Sequence, residues 1–494
     1  MITNGESPMP NAPRRVDVLV IGAGCSGIGA AIRLRREGID DFVVLEKGAD
    51  LGGTWRENTY PGCACDVPSA LYSYSFAPNP AWTRAFAGQA EIFRYLRRVA
   101  IDHGVMPRIS FETEVTRATW SDADTGWHVD TTRGAFLARV VVSAAGPLHT
   151  PDIPDLPGLA TFRGKVFHSA EWDHTYDLAG KRVAVVGTGA SAIQFVPKIQ
   201  PLVAKLHLFQ RTPSWVLPKP DHRVAALEQR LFTRFPRSQV ALRRAEYGLL
   251  EALAFGFRHP RVMRAVQRLG LVYLRSQVKD EALRRALTPK FVLGCKRILL
   301  SNTYLRAVAS PNVELHATAV SRIDAGAARG ADGSLAEVDA LIFGTGFHVT
   351  DPPVAERIVG ARGKSLAEEW RGSPRGYLGT SIVGFPNFFM MLGPNLGTGH
   401  SSAFSIIEAQ LDQIVSAVTA MRARSWARLD VRPDVEAAYN DEVQGALAQT
   451  VYNAGGCASY YLDANGRNST IWPWSTTRLV KRVGAFQASA YDAR

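Results

Sequence analysis

Two glycine-rich turns 165 residues apart, Gly22-Ala23-Gly24-Cys25-Ser26-Gly27 and Gly187-Thr188-Gly189-Ala190-Ser191-Ala192, constrain this chain more than any other feature. Each follows a short apolar run, residues 16–21 and 182–186, and each opens a helical pattern. Strand, glycine turn and helix in that order suit a dinucleotide. The glycines allow a tight turn and let the backbone approach a pyrophosphate, while the free N–H groups of the helix N-terminus face the anion. Two such units predict an α/β chain with two Rossmann-like dinucleotide-binding domains, and chemistry passed between two docked nucleotides.

The residue 24 positions beyond the first glycine distinguishes the halves: it is Glu46 after the strand-like run 42–45, and Arg211 after the run 205–209. A carboxylate accepts hydrogen bonds from both ribose hydroxyls and repels a 2′-phosphate, so the first half is expected to hold FAD or NAD through Gly22, Gly24, Ser26, Gly27 and Glu46. A guanidinium grips a phosphate through paired hydrogen bonds, so the second half is expected to prefer NADP(H) to NAD(H). Its expected contacts are Gly187, Thr188, Gly189, Ala190, Ser191, Gln194 and Arg211. The bland alternative for Arg211 is a solvated surface arginine. Ala192 stands where the motif has its third glycine, a change that loosens helix–strand packing slightly.

The 494 residues, 46% apolar and 21% charged, suit a soluble globular protein of two or three domains. No uninterrupted apolar run reaches membrane-span length, and residues 1–15 lack the apolar core of a secretory signal, so a cytoplasmic location is expected. Five cysteines, odd in number and thinly spread, argue against a disulfide framework. Cys63 and Cys65 match neither a CxxC redox centre nor half of a zinc site and are read as reduced packing residues; no metal site is expected. The formal net charge of +12 is concentrated: residues 223–290 hold 15 Lys/Arg against 5 Asp/Glu. Apolar residues recur there at helical spacing, so the segment is read as a helical insertion in the second domain. Its charge suits a solvated face first, a membrane-surface or partner contact second, and nucleic acid least, since no nucleic-acid motif accompanies it.

Residues 1–15 read as a flexible tail and 16–150 as the first domain, with prolines at 147, 151, 154 and 157 marking a linker. The second domain is expected over 151–335. Residues 336–494 are expected to return to the first domain, beginning with a buried strand over 339–343. A strand-like run over 382–392 and a helix from 403 to about 421, capped by Ser401-Ser402, follow.

Three further patterns carry a resemblance. These are Phe162-x-Gly164-x-x-x-His168-x-x-x-Trp172-Asp173, Gly52-Gly53-Thr54-Trp55-x-x-x-x-Tyr60-Pro61-Gly62-x-x-x-Asp66, and Gly294-Cys295-Lys296-Arg297. The chain resembles the Baeyer–Villiger monooxygenases, a family of FAD-containing, NADPH-dependent enzymes, from Val16 to Tyr461. The resemblance implies that NADPH reduces FAD, that O₂ adds at flavin C4a, and that the resulting peroxide attacks a ketone to give a Criegee adduct and then an ester or lactone. Sulfoxidation is implied as a side activity. A fixed cation must sit by the developing negative charge, and Arg297 is the candidate, with Asp66 orienting it.

By the same resemblance, His168 couples NADP positioning to domain movement, although a satisfied structural histidine is an equal reading. Thr54, Trp55, Tyr72 and Val115 join the flavin contacts, and Lys296 and Thr212 join Arg211 around the 2′-phosphate. Trp172 is read as a packing anchor. Two departures stand out: Gly344-Thr345-Gly346 where the family has Ala-Thr-Gly, and Tyr460 where a tryptophan commonly contacts NADP. Rival readings are an N- or S-oxygenating flavin monooxygenase, an NADPH oxidase releasing hydrogen peroxide, and a non-catalytic NADP sensor. A disulfide reductase lacks its Cys-x-x-x-x-Cys centre here. The ketone and the oligomeric state are not legible in the sequence.

Overall fold

The computed structural model describes residues 12–494, so residues 1–11 of the expected tail lie outside it. That tail ends earlier than expected. Arg14 and Arg15 already stand in the strand Arg14–Ile21, where they pair with Phe136 and Leu137, because the backbone ladder outlasts the apolar run.

The first sheet has the order Ile358–Val359, Val115–Ser121, Gly126–Thr131, Gly134–Ser143, Arg14–Ile21, Phe42–Leu45, Ile109–Ser110, with Phe388–Met390 also pairing to Gly134–Ser143. Its nucleotide-facing strands are parallel and covered on both faces, which explains their unbroken Val/Leu/Ile content. Val18 and Val20 join the core beneath the helices Cys25–Arg36 and Ala403–Ala423, while Leu19 and Ile21 join the core on the other face with Trp120 and Trp127.

The second sheet is wholly parallel, in the order Val313–His316, Lys205–Phe209, Arg182–Val186, Ala340–Phe343, Lys165–His168. Val183 and Val185 pack on the helix Ala192–Ile199, and Ala184 faces the small antiparallel sheet Val320–Asp324, Ala327–Gly330, Leu335–Glu337. Both glycine turns leave the C-terminal end of a strand with neighbours on either side, the crevice where open α/β sheets take ligands.

Three expectations need correction. The strand Ala340–Phe343 pairs with Arg182–Val186 and Lys165–His168, so the chain returns to the first sheet after residue 343 and not at 336. A buried apolar strand carries no mark of which sheet it completes. The run over 382–392 forms only the strand Phe388–Met390, because Gly384 and Asn387 take positive φ (82° and 55°) and break it. Cys295 and Cys457, 162 residues apart, form a disulfide, contrary to the argument from cysteine number. The turn after the helix Val451–Ala454 lies over Val292, whose N–H donates to the Gly455 carbonyl at 2.9 Å, and this contact brings the two thiols together. Cys25, Cys63 and Cys65 are free.

The insertion folds into helices Ala226–Arg234, Pro236–Arg258, Pro260–Gln277 and Glu281–Ala286, inside the expected segment. The long helix Ala403–Ala423 starts at Ser402, whose hydroxyl accepts from the Phe404 N–H. Buried Gln410 of this helix donates to the Met390 carbonyl at 2.8 Å and the Thr380 hydroxyl at 2.9 Å, and accepts from the Leu392 N–H at 2.7 Å. Gln410→Leu keeps the volume and strands these groups, so the urea midpoint should fall by the equivalent of about 3 kcal/mol. An unchanged midpoint contradicts the assignment.

Candidate active site

At the first turn, Gly22 has φ +100° and a Cβ there would lie 2.7 Å from the Ala144 carbonyl oxygen. A Cβ at Gly27 would lie 1.8 Å from the Gly22 oxygen, so helix and strand meet only because the position is glycine. Gly24 differs: its missing side chain faces nothing but Gly53 of the Gly52-Gly53 turn, at 3.7 Å. The slot between these two glycines is one that side chains would fill. The helix Cys25–Arg36 has no capping side chain and no acid in its first turn, and Ser26 is buried there. This arrangement fits a pyrophosphate.

Glu46 is buried at the end of Phe42–Leu45. Its carboxylate accepts from the Ala23 N–H at 2.9 Å and the Gly48 N–H at 2.8 Å, and pairs with Arg56 at 2.8 Å. Those partners fix the carboxylate beside the turn. Thr113 N–H donates to the Glu46 carbonyl at 2.9 Å, which sets buried Val115 two residues further along the same edge. Nearer the middle of the crevice, Trp55 Nε1 donates to the Tyr72 hydroxyl at 3.0 Å, and Tyr72 meets Phe404 edge-on at 4.9 Å. The Thr54 hydroxyl donates to the Leu148 carbonyl at 3.2 Å.

The second turn repeats the plan. Gly187 has φ +103°, with the Gly344 carbonyl oxygen 2.5 Å from where its Cβ would be, and Gly189 is open apart from that oxygen at 3.9 Å. The departure at Gly344 is structurally neutral, since a Cβ there would make an ordinary 3.5 Å contact with Ala192. Beyond the strand Lys205–Phe209, exposed Arg211 stands near Lys296, and half-buried Thr212 follows it in the chain. Burial, then the charge of Arg211, lowers the Lys296 pKa. Among the described residues neither cation has a carboxylate within 4.0 Å, so this is a paired positive site open to an anion. Thr188 and Ser191 flank the turn, next to Ala190. Gln194 behaves otherwise than expected: its side chain accepts from the Tyr60 hydroxyl at 3.0 Å and donates to the Ala64 carbonyl at 2.9 Å, stitching the helix to the loop of the first half.

The segment from Phe162 to Asp173 is a frame for His168. Gly164 is required because a Cβ would lie 2.3 Å from the Asp339 oxygen and 2.6 Å from the Phe162 ring. Trp172 packs between Phe167 and Phe195, the anchor the sequence suggested. His168 ends the strand Lys165–His168, fully buried, with its ring edge-on to Phe347. Its Nδ1 accepts from the Ala170 N–H at 3.1 Å, which places the proton on Nε2, and Nε2 has no partner among the described residues. Burial pushes its pKa down to about 4, so the ring is neutral at pH 7.

The loop that ends the Tyr60-Pro61-Gly62 signature delivers Asp66 to Arg297. The pair is bidentate, with Nε to Oδ2 and Nη2 to Oδ1 both 2.7 Å, and both side chains are roughly a quarter to a third exposed. Asp66 holds Arg297 well above the ordinary arginine value, outweighing the opposing effect of burial. Burial pushes the Asp66 carboxyl up, but Arg297 and then Lys219 bring it below the usual range. Lys219 was not foreseen: nothing in Pro-Lys-Pro marks it, yet its ammonium donates to the Cys65 carbonyl at 2.9 Å and lies over the Phe86 ring. Tyr460 sits half-exposed against Tyr461, and both stand near Arg297.

Two open glycine slots, a buried acid beside the first, paired cations beyond the strand that follows the second, and an arginine pinned by Asp66 agree with what similar proteins show. The family described as pyridine nucleotide-disulphide oxidoreductase matches residues 19–241. A Baeyer-Villiger monooxygenase of Streptomyces coelicolor is 49% identical over 97% of this chain and 92% of its own length. One from Pseudomonas aeruginosa is 47% identical over 98% and 92%. The chain belongs to the Baeyer–Villiger monooxygenase family.

Solved relatives agree. An oxidized steroid monooxygenase bound to NADP superposes with a TM-score of 0.86 at 28% identity, over 97% of this chain and 99% of that one. A cyclohexanone monooxygenase from Rhodococcus sp. Phi1 bound to NADP+ gives 0.85 at 27%, over 98% and 100%. Membership makes this chain an FAD- and NADP-dependent flavin monooxygenase, with the α/β architecture the glycine turns announced. For this Baeyer–Villiger monooxygenase, Arg211→Ala should lower the ratio of kcat/KM for NADPH over NADH by at least about tenfold, the loss of one charge-assisted phosphate contact. An unchanged ratio would remove Arg211 from the phosphate site.

Proposed function

We propose that this enzyme uses NADPH and O₂ to insert one oxygen atom beside the carbonyl of a small-molecule ketone, giving an ester or lactone and water. Gly22, Gly24, Gly53 and Glu46 would hold FAD, and Gly187, Gly189, Arg211 and Lys296 would hold NADPH. Bound FAD supplies the route by which electrons from NADPH reach O₂. The observation that carries the reading is the bidentate Asp66–Arg297 pair at the junction of the two halves.

A guanidinium stays charged in any environment, and one held by two hydrogen bonds to a single carboxylate keeps its place as negative charge grows on the attacking oxygen and then on the former carbonyl oxygen. Asp66 orients it, and Lys219 adds a second positive charge without competing for the same oxygens. Trp55, Tyr72 and Phe404 pack edge to face as an aromatic wall, which would help to exclude water once FAD is bound. His168, neutral and carrying a free Nε2–H, is a positioning residue that can donate to the nicotinamide nucleotide as the halves adjust. Sulfoxidation of a thioether is the side activity the family resemblance implies.

Arg297→Ala should keep its bound FAD, read from the visible flavin spectrum, and lose ester formation from a cyclic ketone by at least about a hundredfold, the effect of removing a preorganised charge. Wild-type ester yield in the variant, or a wild-type enzyme that oxygenates only a tertiary amine offered beside the ketone, contradicts the proposal.

A further inference from the structure

The insertion presents an unusual surface. Of 17 large apolar residues exposed in the described chain, 10 lie between Leu227 and Val272, with Leu249 at 71% and Leu269 at 67% exposure. Seven of the ten stand on the outward side of the helices Pro236–Arg258 and Pro260–Gln277, which turn at His259, and Leu227, Leu231 and Phe235 precede them. On the second helix Val262, Leu269 and Val272 form one stripe, and Arg261, Arg264, Arg268 and Arg275 run beside it, at helical spacing in both cases. Arg237 and Arg244 extend the charge along the first helix. Among the described residues none of these six arginines has a carboxylate within 4.0 Å.

The acids of these helices are turned away. Residues 236–277 contain only Glu246 and Glu251. Glu251 is bound to His400 at 3.1 Å and to the Thr476 N–H at 2.9 Å. Glu246 is half-buried, with one oxygen enclosed, and burial raises its pKa to about 7. The inward side is an ordinary core face: Gly270 lies against Trp215, and Phe257 lies against Gly294 of the Arg297 segment.

We infer that the outward face of these two helices docks on an anionic lipid bilayer. A large apolar stripe beside unpaired arginines, with no outward carboxylate, is what an interfacial helix needs: acyl chains take the leucines and lipid phosphates take the guanidinium groups. A second copy of the chain is a poor occupant, because the insertion carries ten more positive than negative charges and would meet its own field. The contact is peripheral, since no described helix is long and apolar enough to cross a membrane. Docking would leave the Arg297 segment one helix layer from a bilayer in which apolar ketones dissolve. That consequence rests on the proposed reaction; the docking does not.

Co-sedimentation of the FAD-loaded full chain with vesicles tests it. The protein should pellet with phosphatidylcholine vesicles containing phosphatidylglycerol, far less with phosphatidylcholine alone, and be released in about 1 M salt, where charge is screened within about 3 Å. Replacing Arg261, Arg264 and Arg268 together by Gln should weaken partitioning by about a hundredfold, and Leu249→Glu with Leu269→Glu should abolish it. NADPH turnover with a water-soluble ketone in vesicle-free buffer should stay at the wild-type rate in both variants. The inference is overturned if the wild type ignores anionic vesicles or if the variants pellet as it does. It is also overturned if the two leucine substitutions dissolve a concentration-dependent dimer, since the stripe is then a subunit contact.

Discussion

The Asp66–Arg297 pair is the interaction on which the rest of the molecule turns. Each sheet completes its own ladder, and no strand is shared between them. Among the links between the halves, which include the Cys295–Cys457 disulfide and the bonds of Glu251 to His400 and Thr476, three gather at the site: Gln194 to Tyr60 and Ala64, Lys219 to Cys65, and Arg297 to Asp66. All three stitches land on one short loop, residues 60–66. Bringing two charges into a partly buried crevice is costly, and the bidentate geometry is what offsets that cost. Loss of either partner leaves the other uncompensated, typically worth about 3–5 kcal/mol in a buried site. A group whose removal is that expensive holds a fixed position, and fixed charge is what oxygen transfer to a carbonyl requires.

The sequence made the nucleotide machinery legible because its constraints are local. Gly22, Gly27 and Gly187 are dictated by atoms of their own turns and neighbouring strands, and Glu46 and Arg211 fall at matching register in two copies of one βα unit. The chemical centre was legible only through resemblance, since Asp66 and Arg297 are 231 residues apart and nothing local pairs them. What went unread has the same cause. Lys219 reaches the site through a bend whose direction its neighbours do not specify. Cys295 and Cys457 meet because a C-terminal turn lies across the Arg297 segment. The strand Ala340–Phe343 is apolar throughout, so its composition suits either sheet. Asn387, by contrast, breaks the expected 382–392 strand for a local reason, a positive φ.

The insertion shows how one pair of helices serves two environments. Inward, Phe257 packs on Gly294 of the Arg297 segment and Gly270 on Trp215, Gly256 makes room for Met263 of the neighbouring helix, and Glu251 ties them to His400 and Thr476. Outward, they carry the basic charge that dominates the whole chain. The site and the exposed face are therefore two sides of one rigid layer, and the burial of both acids follows from the hydrogen bonds and packing of its inner side.

A crystal structure of the enzyme with FAD and NADP+ bound tests the central claim most directly. The account predicts a guanidinium of Arg297 still chelated by Asp66 and lying against the isoalloxazine ring. An Arg297 side chain directed into bulk solvent, with Asp66 paired elsewhere, would contradict it.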